Sequence, residues 1–261
     1  MNPLTFALRD SATLFKRDVR HSLRYLPMTL SGIMTPVIML VLFVYFFGGA
    51  LGSSLMGAEH GAYINFVAPG ILIMTIASGC ATTAINVVTD MSEGIIARFR
   101  TMPISRASVL TGQVLGSLLQ TLISVGVVTL VALLLGFRPT TNPIAWLEAY
   151  GVIALFTFGV TWMGVLYGLI GKTPAGANSL ALTFLLLSFT SSAFVSTATM
   201  PSWLRWYADY QPFTPVIDTV RGLLMGTPIT TTNVILAIAW SVGLALLGFI
   251  LAQMVYNRSA A

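Results

Sequence analysis

The chain has 261 residues, of which 56% are hydrophobic and 8% charged, and its formal charge is +5. Soluble domains carry about 25% charged residues, so a water-soluble fold is excluded. The basic surplus reads as membrane topology rather than as a nucleic-acid footprint.

Six stretches lack Asp, Glu, Lys and Arg: 25–58, 60–89, 107–137, 149–171, 173–204 and 222–257. Each exceeds the roughly 20 residues that a helix needs to cross the hydrocarbon core. None alternates as the strands of a barrel would. The expected fold is an all-α integral membrane protein with six transmembrane helices, near 27–50, 62–89, 106–135, 146–170, 177–198 and 232–256. Residues 27–257 form one membrane domain.

Residues 1–26, before the first span, form an expected interfacial helix. Leu4, Leu8, Phe15, Val19, Leu23 and Leu26 share one arc of a helical wheel, and Arg9, Lys16, Arg17, Arg20 and Arg24 occupy the adjacent arc; Phe6 and Leu14 break the pattern. Such a helix lies on the inner leaflet with its basic side against lipid phosphates. A frayed, merely positive tail is the plainer alternative. The segment is not expected to be a cleaved signal, because the apolar run that follows it is too long for one.

Between the second and third spans, residues 91–102 read as a short cytosolic helix. Asp90 or Ser92 can cap it, Glu93 suits its first turn, and Arg98 and Arg100 suit its last. Pro103 stops it. Met91, Ile95, Phe99 and Met102 make one apolar face, which a plain loop does not need and which suggests docking, either on the bundle or on a partner.

Further along, Gly171-Lys172-Thr173 imitates the end of a phosphate-binding loop. The full motif needs glycine at position 166, where Leu166 stands, with a strand before it and a helix after. A nucleotide site is rejected. Gly112-x-x-x-Gly116 and Gly164-x-x-x-Gly168 are close-packing patterns, better explained by contacts within the bundle than by dimerisation. In the fifth span Ser188, Ser192, Ser196 and Thr199 form a hydroxyl stripe, with Phe189 and Phe194 nearby. It reads as helix glue or as the wall of a pathway for amphipathic cargo.

The outer segment 200–226 follows. Thr199 and Pro201 mark one helix start, Thr214 and Pro215 another, and Gly226 and Pro228 an end. Trp203, Trp206, Tyr207, Tyr210 and Phe213 crowd the first piece, as an interfacial belt or as two short helices dipping back into the outer leaflet. Asp218 and Arg221, three apart, can pair on one helix face. With six spans, ten basic residues fall on the side of the termini and three (Arg138, Arg205 and Arg221) on the other, which puts both termini in the cytoplasm.

Enzymatic and ion-coupled functions find little support. His21 and His60 lie outside the spans, all eight carboxylates lie at or beyond span ends, and none of these groups has metal-ligand spacing. Proton- and ion-driven carriers generally keep ionisable groups inside the membrane. Energy for uphill transport would therefore come from another polypeptide. Cys80 lies within the second span and is expected to serve packing.

Three features together resemble a known family: the N-terminal amphipathic helix, the segment EGIIARFRTMPISRASVLTGQ, and the segment FVSTATMPSWLRWYADYQPFTPVIDTVRGLLMG. The chain resembles the ATP-binding-cassette type-2 export permeases, and among them the daunorubicin-resistance-like drug exporters, over essentially its whole length. The resemblance implies a permease that pairs with a second permease copy, identical or a paralogue, and with two copies of a separate cytosolic ATPase. ATP and magnesium would be held by that ATPase, with no cofactor or metal on this chain. Residues 91–102 would be the coupling helix, with Glu93, Gly94, Ile95, Arg98, Phe99 and Arg100 meeting the ATPase. Residues 200–226 would be extracellular re-entrant helices that help close the exit, with Pro201, Trp203, Trp206, Phe213, Asp218 and Arg221 at the outer gate. Phe189, Ser192, Phe194 and Ser196 would line the cargo pathway. The implied setting is a bacterial cell membrane, and the implied cargo a drug or another amphipathic or lipid-like molecule. A polysaccharide exporter and a membrane accessory factor that transports nothing are the competing readings.

Overall fold

The computed structural model describes residues 26–48, 60–92 and 106–258, and all regular structure among them is helical. The expected interfacial helix, apart from its last residue, and the coupling residues from Glu93 to Arg100 lie outside the described residues.

Helix α1, Leu26–Leu42, contains Pro36 and runs into a π-helical turn, Phe43–Phe47, closed by the Gly48 N–H donating to the Phe43 carbonyl. Helix α2, His60–Ser92, is the axis of the bundle and touches α1. Its buried side chains, among them Tyr63, Val67, Ile71, Leu72, Ile76 and Val87, cover most of its circumference. An apolar helix that is covered on all sides belongs at the centre of a bundle rather than at its lipid face.

Helix α3, Arg106–Leu134, packs against α2, and the turn after it uses Gly136 at φ +104°. Helix α4, Pro143–Gly171, starts where the Asn142 side chain accepts from the Ile144 N–H (3.0 Å) and Pro143 fills the first position. It lies along α2 through the Gly164-x-x-x-Gly168 pattern. A Cβ on Gly164 would stand 2.9 Å from the Cys80 carbonyl oxygen, and one on Gly168 would stand 2.6 Å from Val87 Cβ. That glycine pair is a contact within the bundle.

Gly171-Lys172-Thr173 turns out to be a tight joint between two helices. Lys172 adopts left-handed backbone (φ 54°), and the Thr173 side chain caps the next helix by accepting from the Gly176 N–H. Helix α5, Pro174–Phe189, follows, then a 3-10 turn at Thr197–Thr199, helix α6 at Ser202–Tyr210 and helix α7 at Phe213–Met225. Helix α8, Thr231–Arg258, closes the chain against α4.

Four of the expected spans coincide with helices long and apolar enough to cross a membrane: Tyr63–Ser92, Leu110–Leu134, Pro143–Gly171 and Thr231–Asn257. The first and fifth coincide with shorter apolar helices, Ile33–Phe46 and Pro174–Phe189. The chain is thus a multi-pass helical membrane protein. The fifth span departs from its expected form. A helix over 177–198 was the expectation, but α5 has 16 residues and stops at Phe189. At 1.5 Å per residue it spans about 24 Å, less than the roughly 30 Å hydrocarbon core.

Candidate functional site

The early stop of α5 creates the site. Thr190, Ser191 and Ser192 follow one another there, and short hydroxyl side chains compete with the backbone for nearby carbonyls. Thr190 Oγ1 donates to the Leu187 carbonyl (3.0 Å) and Ser191 Oγ donates to that of Ser188. The chain leaves the helix, yet Ser191, Ser192, Ala193 and Phe194 remain buried. Ala193 lies on Gly70 of α2, where any Cβ would come within 2.6 Å of the Ala193 carbonyl oxygen. Gly70 is ten residues into α2, so the break sits about 15 Å inside that end of the bundle.

Irregular backbone at that depth needs partners, because hydrocarbon offers none. Helix α7 supplies them. The Ser192 N–H donates to Thr214 Oγ1 (3.2 Å), and Ser192 Oγ donates to Asp218 Oδ1 (2.7 Å). Arg221 donates from Nη1 to Asp218 Oδ1 (2.7 Å), from Nη2 to the Ser192 carbonyl (2.7 Å) and from Nε to the Phe66 carbonyl (3.1 Å). Its guanidinium also lies over the Phe66 ring, 4.0 Å from the centroid. One arginine thereby ties α2, the break after α5 and α7 together. The planar fork of arginine permits this, whereas the single ammonium of lysine would not. The side chains of Arg221 and Asp218 are only 15% and 31% exposed, and each neutralises the other.

Helices α6 and α7 meet at an elbow well inside the bundle. The Trp240 indole N–H, nine residues into α8, donates to the Tyr210 carbonyl (2.9 Å). Phe213 packs edge-on against Phe156 of α4 (5.3 Å between centroids) and Phe184 of α5 (6.1 Å). From there α7 returns to the end of the bundle, where the Thr140 N–H donates to the Leu224 carbonyl (2.6 Å) and Gly226 caps the helix in left-handed backbone.

The sequence-derived candidates divide into groups. Asp218, Arg221 and Ser192 come together in the clasp. Phe194 is buried and stacks between Phe43 of the π-helical turn (4.2 Å) and Phe189 (5.4 Å). Ser196 caps the 3-10 turn by accepting from the Ala198 N–H, so the expected helical hydroxyl stripe is divided: Ser188 lies in α5, Ser192 at the break and Ser196 beyond it. Pro201 precedes α6, Trp203 and Trp206 are exposed on it, and Phe213 is fully buried at the elbow. At the opposite end, Gln113 Nε2 of α3 donates to Asp90 Oδ2 of α2 (3.1 Å), linking the helices on either side of the expected coupling segment. Phe66 and Trp240 escaped the sequence reading, and Thr214 was read only as a helix start. Their contacts are long-range and leave no local pattern.

The described residues thus form a multi-pass helical bundle of membrane type. The chain belongs to the ABC-2 type transporter family, whose pattern matches residues 10–225. It is 30% identical over 215 residues to the daunorubicin resistance ABC transporter permease protein DrrB1 of Streptomyces coeruleorubidus, covering 82% of this chain and 71% of that protein. It is 22% identical over 224 residues to the probable doxorubicin resistance ABC transporter permease protein DrrC of Mycobacterium tuberculosis H37Rv, covering 86% and 81%. With the inner membrane transport permease YadH of Escherichia coli K12 it shares 25% identity over 222 residues, covering 82% and 85%. The chain is a permease subunit of an ABC transporter, and the ATPase of such transporters is a separate cytosolic chain.

Proposed function

We propose that this permease exports drugs or other amphipathic, lipid-like molecules from a bacterial cell, as a dimer of two identical permease copies with two ATPase subunits. All six apolar segments cross the membrane, the fifth as α5 continued by the irregular stretch after Phe189, both termini are cytoplasmic, and residues 1–26 rest on the inner leaflet. The end of the bundle that carries Arg138, Arg205 and Arg221 faces outward, and the end that carries Ser92, Lys172 and Arg258 faces the cytosol. Helices α6 and α7 form the outer re-entrant pair that closes the exit, and residues 91–102 form the coupling helix.

The observation that carries this reading is the clasp. A broken span, whose freed backbone is held by the Asp218–Arg221 pair of an inward-reaching helix, is a joint that can open and re-form without unfolding either helix. The Asp90–Gln113 hydrogen bond supports the coupling role of 91–102, because a push on that segment would reach α2 and α3 together. The drug-resistance names of the relatives supply the cargo class.

The test is ATP-dependent accumulation of daunorubicin in inverted membrane vesicles containing the chain and its ATPase. Accumulation above that of vesicles with a hydrolysis-deficient ATPase is the expected result. An assembled complex with intact ATPase activity and no accumulation of daunorubicin or of a fluorescent phospholipid would leave a non-transporting accessory protein instead.

A further inference from the structure

Beside the elbow lies a groove of about 490 Å³ that shares no residue with the clasp or with the Phe43–Phe194–Phe189 stack. Its walls include Tyr167 of α4, Phe184 of α5, Trp206 and Tyr210 of α6 and Trp240 of α8, with Gln211 of the elbow among them. The volume falls in the roughly 300–1,000 Å³ range of small-molecule sites. Trp206, Tyr210 and Trp240 are themselves exposed, so the groove is open to its surroundings. Trp240 lies nine residues into the apolar span Thr231–Asn257, so the groove opens toward hydrocarbon.

One polar group in this setting is out of place. Gln211 is 4% exposed, and neither Oε1 nor Nε2 of its amide has a hydrogen-bond partner. A buried amide without a partner is costly, and most such groups in folded proteins are satisfied. The nearby Trp240 indole N–H is already committed to the Tyr210 carbonyl (2.9 Å). Gln211 lines the groove while its amide is closed off behind the wall, so a side-chain rotation brings an unused donor and acceptor pair to the aromatic surfaces.

We propose that this groove binds a membrane-borne amphipathic molecule with a planar ring body and one oxygen head. The body packs against the Trp206, Tyr210 and Trp240 rings, whose offset and edge-on contacts favour flat partners. With the Gln211 side chain rotated into the groove, the head oxygen accepts from Nε2, and a hydroxyl head can also donate to Oε1. The site does not depend on which molecule is exported. Only its position in the outer half of the bilayer rests on the orientation proposed above.

The experiment uses the full chain in phosphatidylcholine nanodiscs, without ATPase or ATP, so its failure leaves the transport reading standing. 1-Pyrenemethanol is titrated while energy transfer from tryptophan to pyrene is recorded. Saturable transfer is expected, with a smaller amplitude in Trp240→Phe. Unsubstituted pyrene, which lacks the hydroxyl, should bind about tenfold more weakly, the size of one lost hydrogen bond. Gln211→Leu should lower the affinity for 1-pyrenemethanol by about the same factor and remove the preference over pyrene. Thr183→Trp, placed in the groove wall, should abolish saturable transfer. Three results overturn the proposal: transfer that rises linearly with pyrene in the bilayer, equal affinity of wild type for the two probes, or quenching of Trp240 by brominated phosphatidylcholine that 1-pyrenemethanol does not relieve. The last would make the groove a crevice filled by acyl chains.

Discussion

Two joints in this bundle hold helices against α2 by opposite means. The α2–α4 joint is made by taking side chains away: Gly164 and Gly168 let the backbone of α4 approach Cys80, Ala84 and Val87 until no Cβ would fit. The joint between α2, the break after α5 and α7 is made by adding polar groups: Arg221, Asp218, Ser192 and Thr214 meet around freed backbone. Close packing is non-directional, gains a little at each of many contacts and offers no second arrangement. Hydrogen bonds are directional and few, so a small rotation can exchange one set for another. A transporter needs both, a fixed frame and a joint that can be remade, and this chain puts them at different heights along one helix, the clasp at Phe66 and Gly70 and the packed joint from Cys80 to Val87.

The sharpest way to break the comparison is to remove the arginine. Arg221→Met should destabilise the protein by about 3 kcal/mol, because it leaves a mostly buried carboxylate without its cation. Thermal unfolding in detergent would measure it. Adding Asp218→Leu should recover much of the loss, since a buried ion pair replaced by apolar residues of similar volume is often close to neutral. A double variant no more stable than Arg221→Met would mean that the pair does not act as one unit.

The packed joint should fail by a smaller amount and in a different way. Gly168→Val drives a side chain into Val87 and the Ala84 carbonyl, an overpacking cost of about 2 kcal/mol. No change at a partner position should rescue it fully, because backbone is part of the obstacle. Unfolding of Gly168→Val alone and with Val87→Ala measures this, and full rescue would show that the helices can slide.

Effects on association, no larger than this, are expected at the proposed coupling segment. Under the proposed coupling role of residues 91–102, Phe99→Ala should weaken association with the ATPase by roughly 30-fold, the loss expected of an aromatic interface anchor. Arg100→Ala should cost only about 0–1 kcal/mol and lose its effect in high salt. Co-purification of the ATPase at matched membrane levels checks both. Complete retention with Phe99→Ala would remove the coupling role from residues 91–102 and leave a helix that merely rests on lipid.

By itself, the sequence determined the class of the protein and most of its helices. Long uncharged runs have few ways to satisfy their backbone in hydrocarbon, so they become helices wherever they fall. Pro143, Pro174, Pro201 and Gly226 end or start elements by local backbone preference, and the structure uses them so. The Asp218–Arg221 pair was legible because a three-residue spacing on a helix is a local fact. Only the tertiary structure decided where the fifth span breaks. Ser188, Ser192, Ser196 and Thr199 have helical spacing, and the hydroxyl run Thr190-Ser191-Ser192, which can loosen a helix, does not by itself end one inside an apolar span. The interruption is stable because Thr214, Asp218 and Arg221, 22 to 29 residues later, satisfy the freed Ser192 groups, and because Gly70 leaves room for Ala193. The Arg221 contact to Phe66 spans 155 residues. Period and propensity encode what a segment does with its own backbone, but the partners of backbone that has left a helix lie elsewhere in the chain, where only the fold brings them within reach.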